Sequence, residues 1–185
     1  MSNTVTNKGK PYVTVRGGRK IHFLDFDPKE IRIEDIAWHL ARQCRFNGHL
    51  DLWYSTAEHS INCADRAPDL YLKKICLIHD AAEFVFGDLV HPVKSVCPDY
   101  CRLIKDFENR LYTHFLGEVP YDFDLMRLKV IDDRMTATEI LYLRGNVPEI
   151  APYDGFRFTC MDWLSAYTAY MLSFRNLFPE YQDVE

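Results

Sequence analysis

Apolar and polar residues follow two different rhythms along this chain. Near its start, YVTV and KIHFLDF are β-rich runs on either side of Gly17-Gly18, which predicts a hairpin over residues 11–26. After Pro28 the rhythm turns helical. Ile33, Ile36, Ala37, Leu40 and Cys44 recur at helical spacing, so an amphipathic helix is expected over 33–45. The polar stretch RFNGHLD ends it, with Gly48 as the breaker. Ser55 is a good N-cap, and Glu58 three residues later completes a capping box for a helix over 56–66. Pro68 opens another helix, expected to run unbroken to Phe86, where Gly87 stops it. Helices over 98–116 and 123–144 follow, then the loop GNVPEIAPYDGFRF. A last helix over 162–178 starts at Asp162 and aligns Trp163, Ala166, Tyr170, Phe174 and Leu177, a stripe suited to core or subunit contact. The expected fold is mainly α, a helical bundle with a short N-terminal β-hairpin. One compact domain is expected, residues 1–27 forming the hairpin extension and 28–185 the helical body.

Composition narrows the function. Of the 185 residues, 48% are hydrophobic, enough for a real core and against disorder. The formal net charge of −5 argues against binding a nucleic-acid polymer, yet allows a small anionic substrate held by a few local Lys and Arg. The Met-Ser-Asn-Thr start does not read as a signal peptide, and no window has the apolar length of a membrane span. A cytoplasmic protein without a membrane partner is therefore expected. The six cysteines are scattered and read as reduced thiols, mostly core fillers. Cys97 and Cys101 share a helix face, but no second Cys or His pair makes them a zinc site.

The segment KKICLIHDAAEFVFGD carries the chemistry. From Ile75 to Phe86 it is apolar nearly all round, except for His79, Asp80 and Glu83. A helix of that kind is buried, and helical spacing puts these three side chains within one turn. Buried ionisable groups cost several kcal/mol each unless paired or bound to metal. A lone His-Asp pair usually just orders a core. Here His59 on the preceding helix, and Asp132 or Asp133 in LKVIDDRMTATE, extend the set. Periodicity does not choose between the two aspartates, since Leu128 and Met135 flank one and Val130 and Ala137 the other. Two histidines and two carboxylates make a mixed N/O set that suits Mn²⁺, Co²⁺, Fe²⁺, Zn²⁺ or Ni²⁺ and leaves positions open for water and substrate. A zinc peptidase is excluded by spacing, because no second His follows His79 at the His-Glu-x-x-His distance.

The segments RFNGH (45–49), AEHS (57–60), HDAAE (79–83), GDLVHPVK (87–94) and LKVIDDRMTATE (128–139) together resemble the HD-domain phosphohydrolases. The likeness is to the small bacterial and phage type related to bacterial 5′-deoxynucleotidases, and runs from about Phe23 to the last helix. It implies an HD-domain fold and one divalent ion (Co, Mn, Zn, Fe, Ni or Mg) held by His59, His79, Asp80 and Asp132, with Asp133 a neighbour. It implies Glu83 as the group that deprotonates the attacking water and Asp88 as an acid near the leaving group; a turn residue after Gly87 is the alternative for Asp88. It implies that Lys94 and Lys129 contact phosphate oxygens and that Arg45 reaches the substrate. Phe46, at a position where some relatives carry Trp, would stack on sugar or base, while His49 and Trp53 line the pocket or pack the loop. The activity implied is cleavage of deoxynucleoside 5′-monophosphates to nucleoside and phosphate. The alternatives are removal of the whole triphosphate from a deoxynucleoside triphosphate, or a non-catalytic regulatory module. A homo-oligomer in the cytoplasm, the host's if the protein is phage-encoded, completes the expectation.

Overall fold

A computed structural model describes residues 9–181. Part of the expected hairpin extension and the opening Met-Ser-Asn-Thr therefore lie outside the described residues. The fold is mainly helical with a small antiparallel hairpin. β1 (Val13–Thr14) pairs with β2 (Lys20–Ile21), Val13 opposite Ile21. The strands are shorter than the sequence pattern predicts. Gly17 and Gly18, both at positive φ, close the turn, but past Ile21 the run HFLDF leaves the ladder. Ile21 and Phe26 turn into the same core as the helices, so the hairpin is anchored to the helical body.

Among the described residues eight α-helices follow: α1 (Ile33–Leu40), α2 (Thr56–Arg66), α3 (Leu70–Ile78), α4 (Glu83–Phe86), α5 (His91–Lys94), α6 (Pro98–Leu116), α7 (Asp122–Arg144) and α8 (Trp163–Leu177). α2 and α3 pack against each other, and α7 and α8 both pack on this pair. The α8 stripe is core: Ala166, Tyr170 and Phe174 are buried, and the Tyr170 hydroxyl donates to the Leu77 carbonyl at 2.9 Å. Asp162 is the N-cap of α8, its carboxylate accepting from the Leu164 and Ser165 N–H groups.

Two expectations are corrected. α1 stops at Leu40 rather than residue 45, because the chain turns into an isolated bridge between Cys44 and Ser55. The helix expected from Pro68 to Phe86 is broken. Between Ile78 and Glu83 the backbone tightens, with Ala81 N–H bonding to Ile78 and Glu83 N–H to Asp80, both at 3.0 Å. This three-residue step separates α3 from α4 and places His79 and Asp80 in a turn. Gly87 stops α4 as expected, at a φ of 72° that glycine adopts without strain. No helix among the described residues is long and apolar enough to cross a membrane.

Candidate metal centre

His59 enters the site from the first turn of α2. The Ser55 hydroxyl accepts the Glu58 N–H at 3.1 Å, fixing where that helix begins and therefore where His59 points. The Glu58 side chain does not fold back to complete the capping box. Its buried carboxylate instead accepts three successive backbone N–H groups, from Thr159 (3.1 Å), Cys160 (3.0 Å) and Met161 (2.8 Å). Cys160 sits at a φ of 51°, which lets those N–H groups converge as an anion-binding nest. Glu58 thus fastens the loop before α8 onto α2.

The four residues expected to hold a metal come together. His59 Nε2 lies 3.1 Å from Asp132 Oδ1 and 3.8 Å from Asp80 Oδ2; His79 Nε2 lies 3.3 Å from Asp80 Oδ2 and 3.9 Å from Asp132 Oδ1. Ligands about 2.1 Å from one ion sit about 3.0 Å apart at right angles and about 3.4 Å apart in a tetrahedron. The 3.1 and 3.3 Å pairs match such a shell and the 3.8 and 3.9 Å pairs are wider; His59, His79 and Asp80 form one group able to hold an ion, and His59, Cys63 and Asp132 another. Two of the four atoms, His79 Nε2 and Asp80 Oδ2, are buried without a hydrogen-bond partner, the costly condition that a cation relieves.

Hydrogen bonds behind the rings aim both lone pairs inward. His79 Nδ1 is 2.7 Å from the Cys76 carbonyl, which only accepts, so this nitrogen carries the proton and Nε2 is left bare. His59 Nδ1 lies 2.6 Å from Oε1 of Glu139, a fully buried carboxylate, with the same effect. Glu139 Oε2 in turn accepts from Arg45 Nε and Nη2 at 3.1 and 3.0 Å. Arg45 Nη1 is 3.7 Å from Asp80 Oδ2, so the guanidinium borders the centre without filling it.

The electrostatics favour positive charge here. Burial raises the Asp132 pKa, but the hydrogen bond from His59 and the charges of His59, His79 and Arg45 outweigh it, holding the carboxyl well below the usual range. Burial and Arg45 pull His59 down, yet Cys63, Glu139 and Asp132 carry it well above an ordinary histidine. A centre that favours positive charge in this way suits a cation, whose binding would have to displace the proton from His59. Cys63 Sγ is 3.5 Å from His59 Nε2 and is a further donor on that side. Burial pushes its thiol up, away from the thiolate that coordination needs, so the N/O set is favoured.

Glu83 stands beside this centre. Its Oε2 accepts from Gln43 Nε2 at 2.5 Å, and Lys94 Nζ lies 3.5 Å from its Oε1. Gln43 also donates to Thr56 Oγ1 at 3.0 Å, and its Oε1 faces His39 Nε2 at 2.7 Å, so both amide hydrogens and the amide oxygen of Gln43 have partners. Burial, then Asp80 and Asp88, raise the Glu83 pKa well above an ordinary carboxyl. Asp88 is partly buried and makes no direct bond to the other site residues; burial raises its pKa, while Arg45 and Lys94 oppose that rise. Phe46 and Asn47 take left-handed backbone conformations, φ 55° and 52°, and the Phe46 ring faces the guanidinium groups of Arg45 (5.6 Å) and Arg144 (5.3 Å).

Lys129 departs from expectation. It is exposed and bonds Asp133 Oδ1 at 2.8 Å, one helical turn along the outer face of α7. Three residues before Asp132, Lys129 is rotated about 60° around α7 from it and is engaged by Asp133 instead. Trp53 is exposed and lines a separate cavity with Arg42 and Trp163. Glu139 and Gln43 were not singled out by sequence reasoning. Glu139 lies seven residues after Asp132, hence on the same face of α7, and that spacing was the one available signal.

No family model matches the chain. A stretch of 92 residues is 34% identical to the uncharacterized protein YfdR of Escherichia coli K12, covering 50% of this chain and 51% of YfdR. Another comparison, over 86 residues, gives 43% identity to the uncharacterized protein RCAP_rcc00048 of Rhodobacter capsulatus, covering 42% of this chain and 44% of that protein. The chain spans about half the length of these curated relatives.

Proposed function

We propose that this protein is a metal-dependent phosphohydrolase of the HD type, acting on nucleotides, with deoxynucleoside 5′-monophosphates as its substrate class. The observation that carries the reading is the pair of orphaned buried atoms, His79 Nε2 and Asp80 Oδ2, facing His59 and Asp132 across a gap the size of one ion. When bound by these four residues, a divalent cation supplies Lewis acidity, lowering the pKa of water and offsetting charge on a phosphoryl group.

The protein's own groups divide the remaining work. Glu83, with a raised proton affinity and an orientation fixed by Gln43 and Lys94, accepts the proton of the attacking water. Arg45 and Lys94 offset charge on the phosphate oxygens. Asp88, whose pKa is raised by burial, donates to the leaving oxygen. Lys129 has no part in this scheme, since Asp133 holds it on the outer face.

The test is incubation of the protein with deoxynucleoside mono- and triphosphates in Mn²⁺, Co²⁺ or Mg²⁺, with ³¹P NMR of the products. Phosphate released from monophosphates supports the reading; tripolyphosphate shifts it to the triphosphates. Asp80→Ala is expected to lose metal and turnover together, and Glu83→Ala to keep the metal and lose turnover. Full turnover by Glu83→Ala removes Glu83 from the scheme.

A further inference from the structure

A cavity of about 370 Å³ lies between the second half of α7 and the loop that follows it. That volume is within the range of small-molecule sites. Thr136 is shared by the cavity and the proposed phosphate site, its Oγ1 accepting from Arg45 Nη2 at 3.0 Å. Asp133, next in sequence to the ligand Asp132, lines the cavity as well. A phosphate bound near Arg45 would therefore hold its organic portion at the cavity mouth.

The lining is amphipathic. Ala137 and Ile140 form an apolar floor on α7. Val147 and Ile150 stand on the loop with 91% and 45% of their surface exposed, an apolar rim that no protein group covers among the described residues. The charged groups are both carboxylates. Lys129 reaches Asp133 through Oδ1 and leaves Oδ2 unengaged, while Glu149 makes no ion pair among the described residues. A flat apolar surface edged by acceptors suits an aromatic ring that presents N–H groups.

We propose that this cavity holds the base of the nucleotide and selects bases carrying amino hydrogens, guanine above the others. The inference rests on the phosphohydrolase reading for the position of the phosphate. Guanine offers adjacent N1–H and N2–H donors that match the two oxygens of one carboxylate. Adenine and cytosine offer a single amino group beside an acceptor nitrogen. Thymine and uracil place carbonyl oxygens on both sides of their one N–H, and a carboxylate repels these. Glu149 is the reading group; Asp133 is already engaged by Lys129.

Two measurements test this with the full chain. In the first, kcat/KM is compared for dGMP, dAMP, dCMP and dTMP, with dGMP expected to lead dTMP about tenfold or more, as for a hydrogen bond to a charged group. Glu149→Gln should shrink that ratio about tenfold, and Ile140→Trp, which fills the floor, should abolish it. In the second, deoxyguanosine, which has no phosphate, is titrated calorimetrically into wild type and Glu149→Gln. Binding weakened by the substitution supports the cavity even if no nucleotide is hydrolysed, in which case the phosphohydrolase reading alone falls. Hydrolysis of all four nucleotides at equal efficiency, unchanged in Glu149→Gln, overturns the base site and leaves the phosphohydrolase reading standing.

Discussion

Replacing Glu139 with glutamine changes one oxygen to nitrogen at a fully buried position and forces a choice that the carboxylate avoids. Glu139 accepts on both sides, from His59 through Oε1 and from Arg45 through Oε2. Glutamine can accept on one side only. If its oxygen keeps Arg45, its amide donates to His59 Nδ1, and the ring proton moves to Nε2, the atom that must coordinate. Metal affinity then falls about 10- to 100-fold, which is about 1.4 to 2.7 kcal/mol. If its oxygen keeps His59, the amide faces the Arg45 guanidinium and leaves that charge without its buried partner, a loss of about 3 to 5 kcal/mol in stability. Calorimetric titration of Mn²⁺ into the metal-free variant measures the first outcome, and a denaturant midpoint in chelator measures the second. One of the two must change. A Glu139→Gln protein with wild-type Mn²⁺ affinity and wild-type stability would refute the assignment of Glu139 as the group that sets the His59 tautomer.

Other outcomes are expected elsewhere. Gln43→Leu removes a hydrogen bond to Glu83 without touching a metal ligand, so Mn²⁺ binding should persist while kcat drops about tenfold; steady-state kinetics beside a binding titration separate the two. Glu58→Ala strips three backbone N–H groups of their acceptor and should destabilise the protein by about 3 to 5 kcal/mol in urea melts. Burial raises the Glu108 pKa from 4.5 to about 7, so the folded chain keeps a proton that the unfolded chain has already released. Its contribution is complete below pH 4.5 and is lost as pH rises to about 7; Glu108→Gln should flatten that part of the Tm-against-pH curve.

Much of the architecture is legible in the residues themselves. The bounds of α2, α6, α7 and α8 follow from caps and helical periodicity, because Ser55, Asp162 and the Pro before Asp99 act locally. The break between α3 and α4 is not legible. Periodicity registers which face is apolar, and a three-residue step at Ala81 keeps the same apolar residues buried. The site divides in the same way. His79, Asp80 and Glu83 stand out as costly polar groups in an apolar run, whereas His59 and the choice of Asp132 over Asp133 rest on the resemblance; a turn positions His79 and Asp80, and helices position His59 and Asp132. Lys129, expected at the phosphate, is paired with Asp133 on an exposed part of α7, a partner that local pattern does not foretell. Gln43 and Glu139 are ordinary polar residues until α1 and α7 are brought against Glu83 and His59 by packing that no local pattern encodes.

The tight step after Ile78 also bears on the order in which the molecule is made. It carries two of the four proposed metal-binding side chains, a third has already emerged on α2, and the fourth waits on α7. During synthesis, a partly made chain ending before Asp132 offers a divalent ion an incomplete cage. An ion bound by these residues would therefore be captured only as α7 docks, joining its uptake to a late step of folding.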